Sequence, residues 1–380
     1  MSHRRTRSRR QRAVIVTGAA VATLIVVGLA VAAFPRPGQQ PGLGGTRSAS
    51  DNRSVPPEGS PSGSASGGSQ APGRSPSPGA SSTPGPGRHP AGSAWRLVPS
   101  SGAYLGAYVE PTAYTPGATI AAVRSFQQTI GSPITLVHTY HPWFSPFPNG
   151  ADRYFVKSGK VLLLTWSGTP DTRKIIAGDY DGEIRARAAA VKRLGRPILM
   201  EFRHEMDRPN LQWAVHGPKA FIAAWDHIRA IFSQVGASNV GWVWCPTGWG
   251  FEKGRAQAFY PGNNEVDWVC ADIYSASTRQ PLQVAAQPFL RWAKGTGKPI
   301  MIGEFAANGS TSAWSSWLLA AGELAGTDKQ IKGMAYFDAN GTDSQGRPFQ
   351  YWLGGNGTAL RAFGQMLSWR AFHPVLPSSQ

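Results

Sequence analysis

From residue 104 onward the chain alternates between two apolar patterns. One is a short run, apolar at nearly every position, that ends in polar or charged groups; Pro197-Ile-Leu-Met-Glu-Phe-Arg-His-Glu-Met-Asp207 is the clearest. Runs that are apolar on both faces and too short for a helix read as strands covered on both sides. They recur at 104–110, 134–141, 161–168, 198–205, 240–246, 266–274, 300–305 and 331–338. The other pattern has helical spacing and fills 118–130, 183–194, 218–235, 282–294, 312–324 and 358–367. Pro218 suits a first helical turn, and Gly131, Gly195, Gly236, Gly295 and Gly326 suit helix exits. Eight strands separated by helices predict an α/β fold, a (β/α)8 TIM barrel. A doubly wound sheet is the alternative, but it would carry a Gly-rich phosphate turn after its first strand. Tyr108-Val-Glu-Pro-Thr112 offers none.

The chain ahead of this pattern is of another kind. Residues 1–12 hold six arginines and no acid, and 13–34 form an uncharged apolar run of 22 residues. Such a run is long enough to span a bilayer, and arginines before it keep that end cytoplasmic. A cleavable signal peptide is the competing reading, with Ala30-Val-Ala32 as a small-x-small cleavage site; the length favours an uncleaved anchor. Residues 35–93 are Pro, Gly, Ser and Ala with two large aliphatic residues, Leu43 and Val55, a composition that predicts a disordered linker. Its coil span is about 40 Å. The expected organisation is therefore a basic cytoplasmic segment (1–12), a signal-anchor or signal peptide (13–34), a linker (35–93) and a catalytic barrel (94–380). The barrel is expected to be extracytoplasmic, either membrane-anchored or secreted, and monomeric.

Net charge is +17, which invites a nucleic-acid partner. Residues 1–93 carry 11 Lys and Arg against two acids, however, and the remainder has no basic run interleaved with aromatics. Nucleic acid is therefore not expected as a partner. Two cysteines, Cys245 and Cys270, are too few for a disulfide framework. They fall on adjacent predicted strands, so one bridge is possible, but buried free thiols are the preferred reading.

Reacting groups of such a barrel sit at the C-terminal ends of its strands. Those ends collect Glu110, His138 and His141, Trp166, Arg203-His204-Glu205, Trp244, Asp272 with Tyr274, Glu304 and Asp338. Carboxylates, imidazoles and indoles without a Ser elbow or phosphate loop suit a sugar. Glu205 and Glu304, on two strand tips, are the minimum set for acid/base and nucleophilic work on an acetal. His138 and His141 are three apart and face opposite ways on a straight strand, so one reaches the site; His141, at the tip, is preferred. A zinc site lacks a third ligand at helical spacing, and neither metal nor cofactor is expected. Of the 14 tryptophans most must be core, and Trp166, Trp213 and Trp244 are the ones expected near the cleft, with Trp249 left out.

Arg203-His204-Glu205-Met206, with Ile302-Gly303-Glu304 on the seventh strand, resembles glycoside hydrolase family 26, whose best-known members are endo-β-1,4-mannanases. Further matches are Ala177-Gly-Asp-Tyr-Asp181, Trp242-Val-Trp244 followed by Pro246, Tyr260-Pro-Gly262 and Asp272-x-Tyr274, all in the family's order. The resemblance implies that Glu205 is general acid/base and Glu304 nucleophile, with retained configuration and carboxyls about 5–5.5 Å apart. It also implies that His204 and Tyr274 line the sugar under attack; the strand ends themselves add Arg203, His141 and the three tryptophans as expected substrate contacts. Two departures bear on specificity. Asp207-Arg208-Pro209 stands where mannanases continue with Asn-Gly, and Cys245 replaces a common Ser. The polysaccharide expected is β-1,4-mannan, with β-1,3-xylan and mixed-linkage β-glucan as alternatives. A carbohydrate-binding envelope protein without activity is the reading from another class.

Overall fold

The computed structural model describes residues 97–309, 311–343 and 346–376. The basic terminus, the apolar run and the linker expected over 1–93 lie outside these residues. Among the described residues no helix is long and apolar enough to cross a membrane.

Eight parallel strands close into a barrel in chain order: β1 (Tyr104–Val109), β2 (Leu136–Pro142), β3 (Val161–Ser167), β4 (Ile198–Phe202), β5 (Val240–Trp244), β6 (Trp268–Ser275), β7 (Ile300–Ala307) and β8 (Ile331–Asp338). The ring closes where β1 runs beside β8, from Tyr104 against Gly333 to Val109 against Asp338. Gly106 makes the β1–β2 contact possible, since a Cβ there would sit 1.8 Å from the carbonyl oxygen of Leu136.

Helices surround the barrel because each run between strands carries one apolar stripe. The longer ones are α1 (Pro116–Ile130), α2 (Gly150–Lys157), α4 (Asp181–Leu194), α6 (Gly217–Val235), α8 (Leu282–Lys294), α9 (Thr311–Thr327) and α10 (Gly357–Leu367). Three short ones, α3 (Thr172–Ala177), α5 (Gln212–Val215) and α7 (Gly248–Glu252), fall in loops. The Thr115 side chain caps α1, and Asn149 with Asp152 forms a capping box on α2, which is too short to stand out in the sequence. Gly131, Gly195 and Gly236 end helices in the left-handed region, with φ of 71°, 64° and 76°, as expected. Gly295 ends α8 with φ of −71°, and Gly326 lies within α9, so neither is a left-handed exit.

The barrel interior is graded along its axis. At the bottom Tyr104, Leu136, Leu163, Leu199, Trp268 and Met301 pack into one buried apolar cluster. Two residues further along β2, β3 and β4 the inward positions turn polar, as His138, Thr165 and Glu201, and on β6 Asp272 follows four residues after Trp268; all four are buried. Inward positions recur every second residue, so this gradient places the chemistry at the top and seals the floor. Cys245, just past β5, and Cys270 on β6 are joined as a disulfide. Free thiols were expected; parallel neighbouring strands instead bring the two inward positions within bonding reach.

Candidate active site

β7 delivers Glu304 to the mouth of the barrel. The pairing of β7 with both neighbours shifts register near this point, between Ala271 and Asp272 on one side and between Ile302 and Phe305 on the other. Gly303 faces inward, since a Cβ there would strike Cys245, Cys270 and Asp272. The irregularity lets Glu304 turn inward directly after it. Two phenols, Tyr140 from β2 and Tyr274 from β6, donate to its two carboxylate oxygens. Burial, and next the nearby Glu205 carboxylate, raise the pKa of Glu304 to about 7; the two phenols and Arg208 oppose this.

Glu205 arrives by a different device. β4 was expected to run to Glu205 but ends at Phe202. Arg203 and Glu205 both adopt left-handed backbone, with φ of 47° and 54°. Such residues cost about 1 kcal/mol or more and persist when their surroundings fix them. The surroundings here are explicit. Glu205 N–H donates to the Cys245 carbonyl at 2.7 Å, and Asp207 accepts from Thr247 N–H at 2.9 Å and Thr247 Oγ1 at 2.6 Å. The loop after β4 is thereby tied to the end of β5. Arg208 pairs with Glu205 Oε2. Asp207 and Arg208, two of the positions at which this chain departs from the mannanase pattern, thus act on the same loop and on the carboxylate it presents.

Beneath lies an uncharged polar layer. Thr165 Oγ1 donates to Glu201 Oε2 at 2.6 Å, and His138 Nε2 lies 2.7 Å from Thr165 Oγ1. Burial lowers His138 to about 3 and raises Glu201 to about 8, so their 3.8 Å approach joins two neutral groups and is not an ion pair at pH 7. Burial, and next Glu304, also raise the pKa of Asp272 well above the usual carboxylate value, and its Oδ2 has no hydrogen-bond partner. Glu201, Cys245 and Cys270 bring donor atoms within 4.8 Å of one another, the one grouping of metal-ligating side chains among the described residues. With both sulfurs in a disulfide, a single carboxylate remains to offer an ion.

Two carboxylates that share a mouth, one clamped by phenols and one presented on a braced loop, match the requirement for cleaving an acetal. No family model matches the chain. Among curated proteins, endoglucanase H of Acetivibrio thermocellus is 30% identical over 216 residues, 51% of this chain and 24% of that protein. A β-1,3-xylanase of Alcaligenes is 23% identical over 218 residues, 49% of this chain and 44% of that protein. The chain therefore spans less than half the length of either relative. Among solved structures, the catalytic domain of a family 26 endo-β-1,4-mannanase from Bacillus sp. JAMB-750 matches with a TM-score of 0.57 and 14% identity, over 73% of this chain and 88% of that one. A family 26 β-mannanase from Bacteroides ovatus matches with a TM-score of 0.54 and 13% identity, over 73% and 91%. The chain has the family 26 fold.

Within that fold the expected contacts divide. Tyr274 is at Glu304, and the His204 ring packs edge-on against Tyr140 at 5.4 Å, with Nδ1 buried and unpartnered. Burial lowers the pKa of His204. Trp213, on α5 in the loop after β4, is 56% exposed. Four expectations need correction. His141 points away from the mouth and bonds Asp152 of α2, at 3.2 Å to Oδ1. Arg203 is buried and donates to the Pro170 carbonyl in the loop after β3. Trp166 is fully buried, stacked on Trp143 at 4.0 Å, and Trp244 is fully buried among Phe251, Tyr260 and Trp292. His141, Trp166 and Trp244 all occupy outward strand positions, packed against α2, the loop after β2 and the helices α7 and α8 respectively, while left-handed backbone swings Arg203 aside. Tyr140 was missed. It sits two residues after His138, on the inward face, so strand parity alone would have found it. Glu110 accepts from Tyr108 and Tyr114, and Asp338 from Leu353 N–H at 2.7 Å, which gives these strand-end acids local roles.

Proposed function

We propose that the chain is a retaining endo-β-glycanase, with Glu304 as nucleophile and Glu205 as general acid/base. The observation that carries this reading is the Glu304 carboxylate, buried at the mouth, held by two phenols and close enough to Glu205 to feel its charge. Glu304 attacks the anomeric carbon as the glycosidic C–O bond breaks, and Glu205 gives its proton to the leaving oxygen. Arg208 occupies Oε2 of Glu205, so Oε1 is the oxygen available for this transfer. Glu205 then takes a proton from water, which attacks the glycosyl–Glu304 ester and frees the carboxylate. Tyr140 and Tyr274 stabilise the ionised Glu304 before attack and on its return.

For the substrate, the motif resemblance and the shared fold support β-1,4-mannan. A second reading, a β-glucan, is favoured by the match to an endoglucanase at 30% identity, and the Alcaligenes match adds β-1,3-xylan. Reducing-end release by the full chain from mannan, mixed-linkage β-glucan and β-1,3-xylan decides among them, and binding without release from any would favour a carbohydrate-binding protein instead. Glu304→Ala should abolish release with the fold intact. Glu205→Ala should slow substrates with poor leaving groups far more than activated aryl glycosides, and equal losses on both would refute the assigned roles. Residues 1–34 support an exported barrel tethered with its amino terminus in the cytoplasm. Protease shaving of intact cells should then remove the barrel, and a barrel protected inside the cell would refute export.

A further inference from the structure

The charge of the barrel is arranged along its axis. Its floor is built from the stretches that lead into the strands: the last turn of each outer helix, the connection that follows, the first two residues of the strand, and residues 368–376 after α10. Among the described residues these hold 11 Lys and Arg against three acids. The loops that leave the strands at the mouth are close to balanced. The barrel's excess positive charge is thus concentrated at its closed end, away from Glu304. Lys192, Arg193 and Arg196 stand exposed between α4 and β4, and Arg291, Lys294 and Lys329 where α8 and α9 end.

Little on this face neutralises these cations. Lys192 and Lys329 donate to the backbone carbonyls of Val235 at 3.0 Å and Gly326 at 2.6 Å, which leaves their charge in place. The three acids are already engaged. Asp328 accepts from Gln330 N–H at 3.0 Å and lies 3.8 Å from Lys294, Asp267 accepts from Trp242 N–H at 2.9 Å, and Glu265 pairs with Arg229 of α6. Arg291, Lys294 and Lys329 also rim a recess of about 470 Å³ between α8 and α9, whose wall includes Leu290 and Leu324. Clustered cations beside an apolar recess suit an anionic headgroup carried on an acyl chain. The chain arrives at this same end. Leu97 packs into the cluster beneath the barrel, and its carbonyl accepts from the Tyr104 hydroxyl at 2.8 Å. An anchor at 13–34 would therefore hold the barrel from its basic side, on a linker long enough for that side to lie against the bilayer.

We propose that the floor of the barrel is a docking face for a bilayer surface of anionic lipid headgroups, so that the tethered barrel lies floor-down with its mouth turned away from the membrane. The proposal rests on the reading of residues 1–34 as an anchor and uses no residue of the active site, so it stands or falls apart from the glycosidase. It is tested on the full chain reconstituted in vesicles of phosphatidylcholine, or of phosphatidylcholine and phosphatidylglycerol at two to one. A donor dye is placed on the floor at Ser238→Cys or beside the mouth at Ala113→Cys, both exposed positions, with an acceptor in the headgroup layer. Cys245 and Cys270 are buried and joined, so only the new thiol is labelled. In the anionic vesicles the floor dye should transfer far more efficiently than the mouth dye, and the difference should shrink without phosphatidylglycerol and in 1 M salt, where screening acts within about 3 Å. Each Lys or Arg near such a surface shifts the docked-to-free ratio about fivefold, so Arg196→Glu, Lys294→Glu and Lys329→Glu together should lower it about a hundredfold or more. Equal transfer from floor and mouth in anionic vesicles overturns the docking face, and so does floor transfer indifferent to lipid charge and salt. Binding of soluble polyphosphate without any gain in floor transfer assigns the face to a polymer and overturns the membrane as its partner. A chain that fails to float with phosphatidylcholine vesicles refutes the anchor instead. The face is then judged by flotation with the anionic vesicles: flotation abolished by the three reversals supports it, and no flotation overturns it.

Discussion

Replacing Tyr140 by Phe removes one of the two hydroxyls that hold Glu304 and changes little else in volume. A hydrogen bond to a charged acceptor contributes about 1.5–3 kcal/mol. Part of that stabilisation is specific to the ionised carboxylate, and each pKa unit corresponds to about 1.4 kcal/mol. The pKa of Glu304, already raised to about 7 by burial and by Glu205, should therefore climb by about one to two units in Tyr140→Phe. The sign follows from the proposed mechanism: only the ionised carboxylate can attack, so activity should rise with pH through this pKa. The assay is the pH profile of kcat/KM on an activated aryl glycoside, which reports the free enzyme and minimises the need for proton donation. The wild type should show an acid limb near pH 7. The variant should lose about ten- to a hundredfold at pH 6 and much less at pH 9. A uniform loss at every pH would refute the claim that Tyr140 tunes the nucleophile's acidity.

Three further outcomes follow from other contacts. Glu201→Gln keeps an acceptor for Thr165 but removes a carboxyl whose folded pKa is raised to about 8. A raised carboxyl stabilises the fold fully below its unfolded pKa and loses that contribution as pH rises through its folded value. Denaturant titrations at pH 5 and pH 8 should therefore show the variant gaining on the wild type by up to about 1.4 kcal/mol per pH unit across that window, and a pH-independent difference would refute it. Asp207→Ala strands the Thr247 N–H and hydroxyl and should cost about 1–3 kcal/mol of stability, with kcat on poor leaving groups falling as the Glu205 loop loosens. Unchanged kcat would mean that the brace does not position Glu205. Arg208→Gln withdraws a cation that lowers the Glu304 pKa, so the acid limb should move upward, and a limb that stays put would show that Arg208 acts on Glu205 alone.

The fold was readable because the barrel strands are short apolar runs that stop at polar or charged groups or at a turn, and the segments between them have helical spacing. The site was readable in its carboxylates and less so in its neighbours, for one physical reason. A strand buried on both faces shows no alternation in hydrophobicity, so nothing apolar marks which residues look inward. His141, Trp166 and Trp244 are all one step out of phase. The polar residues carried the phase instead: His138, Thr165, Glu201 and Asp272 are expensive to bury against helices, and they fix the inward set that includes Tyr140. The end of β4 had no such marker. Left-handed backbone at Arg203 and Glu205 is imposed by contacts with the β5 loop, about 40 residues later in the chain, that local sequence does not encode.

The column of polar groups from Glu304 through Tyr140 and His138 to Thr165 and Glu201 has an electrical meaning. Charge on either acid makes charge on the other more costly, so the barrel's interior accommodates one negative site more readily than two. A buried carboxyl one layer below the mouth is then coupled to the carboxylate proposed to attack, and the acidity of that carboxylate is a property of the whole column.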